Sequence, residues 1–341
     1  MKTLRIEIIP ALELLGGLMN YALRNEEEDD TIATSEEILA WRKEVEKSIS
    51  PFLSSDAEQL FQSSMPYSLL AHAVLRYSLH TPEELIDWLE GGNGEKIRDL
   101  AAEIIGLEER TWEELDTANI QAVLEKGDFH FHRPAEECAA LVLYALQNPG
   151  TFRQRLFLVL SDFYSHFIQN VLKEVLQKLD SKRKVHQQLL EKDRTSFLNQ
   201  ITLDNFNSIY DEEGDFRLIL TYFANRFISL YHKNSPFVLY GFDVDQLLSN
   251  KDVVKLNDQC IKALADPKRT AILRLLKRRQ WYGKELADHF GLSTATMSYH
   301  MEKLLSSRLV RFEMGGKNRV LYSLNRMGIE DMLNNLREDF L

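Results

Sequence analysis

The stretch GLSTATMSYHMEKLL, Gly291–Leu305, carries side chains whose types and spacing suit contact with the edges of nucleic-acid bases. Met297, Met301, Leu304 and Leu305 recur at threes and fours and so mark one face of a helix. Thr294, Ala295, Ser298, Tyr299 and Glu302 fall on the opposite face. Small residues there let a helix approach a groove closely. The hydroxyls of Thr294 and Ser298 can donate or accept, and Tyr299 can reach a base or a phosphate. Ser293 is placed to cap the helix, and His300, flanking the outward face, could bond a phosphodiester backbone. Further along, Lys317 and Arg319 border a Gly-Gly-Lys-Asn turn and suit phosphates or a minor groove. Lys268, Arg269, Lys284 and Arg311 add to the positive field.

A second set of chemistry-bearing residues is DFHFHRPAEEC, 128–138. Asp128, His130 and His132 alternate and would share one side of a strand; with Glu136 or Cys138 they could ligate Zn²⁺ or Ni²⁺. The competing reading is an exposed polar edge beside a helix start, since His-x-His arises easily by chance. No metal site is therefore assigned. No G-x-S-x-G, P-loop, dinucleotide fingerprint or H-E-x-x-H occurs, so neither an enzyme nor a cofactor is expected. The clusters NEEEDD and DEEGD lie in apparent turns and read as solvated.

The elements that must position these side chains follow from periodicity. Asp266 and Pro267 open a helix whose Ile272, Leu273, Leu275 and Leu276 face inward. QWY is a short extended piece, GKELADHF a second helix burying Leu286, Ala287 and Phe290, and Gly291 the residue that ends it. LVRFEM and RVLYSL alternate as two strands around the turn. This is a helix–turn–helix followed by a β-hairpin wing. A last helix, 327–341, carries Ile329, Met332, Leu333, Leu336 and Phe340 on one stripe, which packs on its own module.

The 341-residue chain is too long for one ordinary core. We divide it into residues 1–250 and residues 251–341. The first part opens with a short strand at 3–9. Helices are predicted from Pro10 to about Arg24 and at about 35–48, 66–79, 81–90, 94–106 and 112–125, with another starting at Pro134 and a long helical pattern over 151–192. Three aromatic, β-branched runs within 216–242 read as a small antiparallel meander. The fold class is mainly α with small β elements: a C-terminal winged helix–turn–helix and a larger, mostly helical α+β N-terminal domain.

Charge divides along the same line. The net charge of −11 sums a segment 1–255 at −16, a segment 256–326 at +8 and a tail at −3. A basic module fused to an acidic body points to a nucleic-acid partner for the module. The two cysteines, Cys138 and Cys260, build no disulfide framework and read as free thiols. No apolar run is long enough to span a bilayer and the N-terminus lacks a signal-peptide core, so a cytoplasmic location and no membrane partner are expected.

ALADPKRTAILRLL, ELADHFGLSTATMSYHMEKLLSSRLV and RFEMGGKNRVLYSLN together resemble the ArsR/SmtB family of bacterial transcriptional regulators. The marks are the Leu-Ala-Asp-Pro-x-Arg opening, Glu-Leu-Ala, Gly-Leu-Ser, and Ser-x-His before an apolar residue, over about the last 80 residues. The resemblance implies a sequence-specific binder of double-stranded DNA, a repressor, acting as a homodimer on two half-sites separated by one or more turns of roughly 10 bp. The family often carries arginine or another polar residue where this chain has Tyr299. The cysteine pair with which the family senses metals is missing from the second helix, where Asp288 and His289 stand alone, and the last helix, where the family places Asp/His sets, has no histidine. The N-terminal domain is expected to set dimer geometry or to bind a small-molecule effector. The alternatives are a winged helix that binds proteins, or an enzymatic activity in the N-terminal domain.

Overall fold

The computed structural model describes residues 4–24, 35–61, 65–107, 112–126, 135–201, 217–223, 229–231, 237–242, 250–315 and 319–340. Their buried side chains gather in two separate cores. One runs from Leu4 to Tyr240 and the other from Cys260 to Met332. Most of the described residues are helical, and among them are two small sheets.

Side-chain caps mark the starts of some of the helices. Thr81 accepts a hydrogen bond from Glu84 N while Glu84 accepts from Thr81 N, so the helix Pro82–Glu90 opens on a full capping box. The stretch predicted as one helix at 112–125 is divided into a turn of 3₁₀ helix, Trp112–Glu114, and a helix Thr117–Lys126. Asp116 and Asn119 exchange side-chain-to-backbone bonds at 2.7 and 3.2 Å, which fixes the second start. Helices Pro51–Phe61 and Arg194–Ile201 lie outside the segments predicted helical. The long pattern over 151–192 is two α-helices, Pro149–Phe163 and Gln169–Lys192, joined by a π-helical turn at Tyr164–Ile168. There the indole N–H of Trp41 donates to the Phe167 carbonyl at 3.4 Å.

The runs within 216–242 do not form an antiparallel meander. Strands β1 (Ile6–Glu7), β2 (Arg217–Thr221), β3 (Ser229–Tyr231) and β4 (Phe237–Gly241) pair in the order β1-β2-β4-β3. β1 and β4 both run parallel to β2, and only β3 is antiparallel to its neighbour β4. The reason is two-sided burial: β4 is buried along its whole length and β2 at all but its first residue. Continuous apolar runs of that kind belong to covered parallel strands, whereas a half-exposed meander alternates.

The second core belongs to the C-terminal module. Helices Asn250–Ala265, Pro267–Leu276, Gly283–Phe290, Thr294–Ser306 and Arg326–Phe340 surround a sheet of β5 (Trp281–Tyr282), β6 (Val310–Gly315) and β7 (Arg319–Leu324) in the order β5-β7-β6. Ile272, Leu276, Leu286, Ala287, Met297, Met301, Leu304 and Val310 are buried in it. Among the described residues no helix is long and apolar enough to cross a membrane.

Candidate nucleic-acid interface

The Asp-Pro-x-Arg sequence builds a reciprocal joint between two helices. The Asp266 carboxylate accepts from Lys268 N at 2.8 Å and Arg269 N at 3.0 Å, capping Pro267–Leu276. Arg269 reaches back: its Nε donates to Ala263 O at 3.1 Å and its guanidinium to Lys262 O at 3.2 Å, covering carbonyls at the end of the preceding helix. Burial opposes ionisation of Asp266, but the amides of Arg269 and Lys268 together with the nearby positive charge outweigh it and hold the carboxyl below its ordinary range. Of the two cations singled out here, Lys268 is exposed, while Arg269 is half-buried and occupied at this joint.

The next two helices are set by the turn between them. Glu285 accepts from Tyr282 N at 3.2 Å at the start of Gly283–Phe290. Gly291 ends that helix at φ 63°, a left-handed conformation that residues with a Cβ rarely adopt. Leu292 N then donates back to Ala287 O at 3.0 Å. Ser293 caps the third helix as expected, accepting from Thr296 N at 3.1 Å.

On Thr294–Ser306 the buried side chains are Met297, His300, Met301 and Leu304. Ala295, Tyr299 and Glu302 are exposed, with Thr294 and Ser298 half-buried beside them. The outward face is thus the one that helical spacing places there, with one correction. His300 is only 7% exposed and does not flank that face. Its Nδ1 is buried without a hydrogen-bond partner. Desolvation is the main cause that pushes its pKa below the usual imidazole value; the Asp266 charge opposes this and Arg269 and Lys268 add to it. The ring is therefore neutral at neutral pH and packs inside the module.

Tyr299 is 54% exposed. The ammonium of Lys303, one helical turn on, lies 5.2 Å from its ring centroid. Lys303 does not figure among the sequence-predicted contacts, although the i,i+4 spacing from Tyr299 carries the signal.

The wing pairs Val310 with Leu324 through to Gly315 with Arg319, and β5 joins its other strand through Trp281–Tyr322 and Tyr282–Leu321. Lys317 lies outside the described residues; Arg319 begins β7, and its side chain is likewise not described. Lys284 is exposed and Arg311 half-buried. The possible metal ligands Asp128, His130 and His132 lie outside the described residues, while Cys138 is buried on the helix Ala135–Gln147. Among the described residues no group of three or more His, Cys, Asp or Glu side chains could hold a metal ion.

Residues 264–311 match a family model described as a helix-turn-helix domain. Over 76 residues the chain is 36% identical to the arsenical resistance operon repressor of Staphylococcus aureus, covering 22% of this chain and 72% of that protein. The same identity and coverage hold for the protein of that name from Staphylococcus xylosus. The transcriptional repressor SdpR of Bacillus subtilis is 33% identical over 73 residues, covering 21% of this chain and 80% of its own. A buried three-helix core, a glycine-ended second helix, a capped third helix with a small-residue outward face, and a paired wing all fall within or beside the matched segment. The chain belongs to the ArsR family of DNA-binding transcriptional regulators.

Proposed function

We propose that this protein is a homodimeric repressor that reads a two-fold operator in the bacterial cytoplasm. The observation that carries the reading is the third helix of the module. It buries Met297, Met301 and Leu304 and turns Thr294, Ala295, Ser298 and Tyr299 outward, on a segment similar to proteins named as repressors. In this reading those four side chains meet base edges in the major groove, and Ser293 approaches the backbone at the helix start. Lys268, Lys317 and Arg319 neutralise phosphates. Arg269 contributes charge while its guanidinium holds the helix joint. His300 supports the helix from inside.

Residues 1–250 form the regulatory domain and 251–341 the reader. The regulatory domain sets the spacing of the two readers or binds a small molecule that changes it. Such a ligand acts only through unequal affinity for the two spacings. Dimerisation is supported by apolar side chains left exposed on the first and last helices of the module: Ile261, Leu333 and Phe340, at 44, 55 and 76%.

The test uses the full chain. Duplexes enriched by the wild-type protein from a randomised library provide the ligand, and Ser298→Phe is the variant. Ser298 is half-buried at the outward edge, so a phenyl ring there blocks close approach without entering the core. We expect specific affinity to fall at least about a hundredfold, equivalent to about 3 kcal/mol, with the circular dichroism spectrum unchanged. Retained affinity for the enriched duplex would overturn the assignment of this helix.

A further inference from the structure

The outward face of the third helix carries a hydroxyl or methyl at Thr294, Ala295 and Ser298 and one carboxylate at Glu302. Its one large side chain is Tyr299. A solvent-exposed tyrosine ordinarily samples several rotamers and pays entropy when it is fixed against a base. Here the ring has two close neighbours. Lys303 Nζ lies over it at 5.2 Å. The ring of His300 meets it edge-on, with centroids 5.8 Å apart and planes at 65°. His300 is itself fixed in the interior at 7% exposure, so one of the two supports belongs to the core.

We propose that Tyr299 and Lys303 act as a single reading unit, with Tyr299 setting specificity at one base pair of each half-site and Lys303 positioning its ring. The inference rests on the reading of this helix as the one that enters the groove. Tyr299 presents a ring edge that packs on a thymine methyl and a phenolic group that donates or accepts at a neighbouring base edge. Lys303 acts through the tyrosine: its cation, drawn to the ring face, stabilises the rotamer that points outward along the helix. No lysine or arginine occupies Thr294, Ala295, Ser298 or Glu302, so discrimination at that base pair depends on how well the tyrosine is oriented.

The full-length protein and its Tyr299→Ala, Tyr299→Phe, Lys303→Ala and Lys303→Arg variants are each used to enrich duplexes from a randomised library. Binding to the wild-type duplex and to its single-base-pair variants is then measured by fluorescence anisotropy at several salt concentrations. Tyr299→Ala should flatten one base-pair position in each half-site. Lys303→Ala should weaken discrimination at that same position about two- to fivefold, the size of an exposed cation–π contact, and Lys303→Arg should restore it. Tyr299→Phe keeps the ring and should retain discrimination that rests on a thymine methyl. Lys303→Ala that lowers affinity equally for every sequence and reduces the salt slope by about 0.9 would make Lys303 a phosphate contact and overturn the proposal. Unchanged selectivity in Lys303→Ala would overturn it as well. Failure of the wild-type protein to enrich any motif would overturn the underlying DNA-reading assignment, a result separate from the other two.

Discussion

Glu13 sits in the first turn of the helix Pro10–Ala22 with no accessible surface. Its carboxylate accepts from Tyr222 N at 3.0 and 3.2 Å and from Phe223 N at 3.2 Å, where the chain leaves β2. Burial nonetheless dominates these bonds and pushes the pKa from 4.5 up to about 8. A carboxyl raised in the folded state binds its proton more tightly there than in the unfolded chain. The associated stability is complete below about pH 4.5 and is lost as pH rises through about 8. Glu13→Gln keeps an acceptor for the amides and cannot ionise. The stability of the wild type relative to this variant should therefore decline between about pH 5 and 8.5, by an amount on the order of a few kcal/mol. Chemical denaturation at a series of pH values reads this directly, and parallel curves for the two proteins would refute it. His300 shows how a single residue can mislead a sequence reading. Its position three residues after Met297 and four before Leu304 places it on the buried stripe, but its polarity suggests the surface. The stripe decides, because imidazole can be buried in its neutral form.

At the scale of elements, the legible parts of the fold are those with local causes. The Thr81 box, the Asp266 cap, the Gly291 turn and the Ser293 cap are each specified within a few residues, and the structure has all four. Strand order in the N-terminal sheet is not local. Ile6 pairs with Leu218 across most of the chain, and nothing in either segment names its partner. Leu218–Leu220 and Phe237–Tyr240 are continuous apolar stretches of the kind that parallel strands bury on both faces, but stretches so short do not by themselves separate that pairing from an antiparallel meander. The start of the last helix is another long-range feature. Asn325 is fully buried; its side-chain amide donates to Arg308 O at 2.9 Å and its carbonyl oxygen accepts from Gly328 N at 3.2 Å. A Cβ on Gly328 would lie 2.1 Å from the Arg308 carbonyl oxygen, a backbone atom that cannot swing aside. Gly328→Ala should therefore destabilise the module by roughly 1–3 kcal/mol through overpacking. The denaturation midpoint of the full chain measures this, and an unchanged midpoint would show that the joint between wing and last helix is loose.

The whole molecule joins two unlike parts: a segment at −16 with its own core and a segment at +8 with another. Net charge alone, at −11, conceals the basic reader. The reader's first and last helices pack together around a core that includes Cys260, Ala263 and Met332, yet leave Ile261, Leu333 and Phe340 to solvent. Isolated apolar residues are ordinary on a surface, but three on adjoining helices of one module fit the edge of a subunit contact. If that contact joins two copies, it also fixes the distance between their third helices, and a single weak half-site interaction becomes a bivalent one. Leu333→Asp places a charge in the contact without touching the core or the outward face of the reading helix. Sedimentation should show the variant shifted toward monomer at concentrations where the wild type is dimeric. Affinity for a two-half-site duplex should fall by about 10²-fold or more, while affinity for a single half-site stays near that of the wild type. Loss of both affinities together would mean that the substitution damages the module, and a dimer that persists would place the subunit contact elsewhere on the chain.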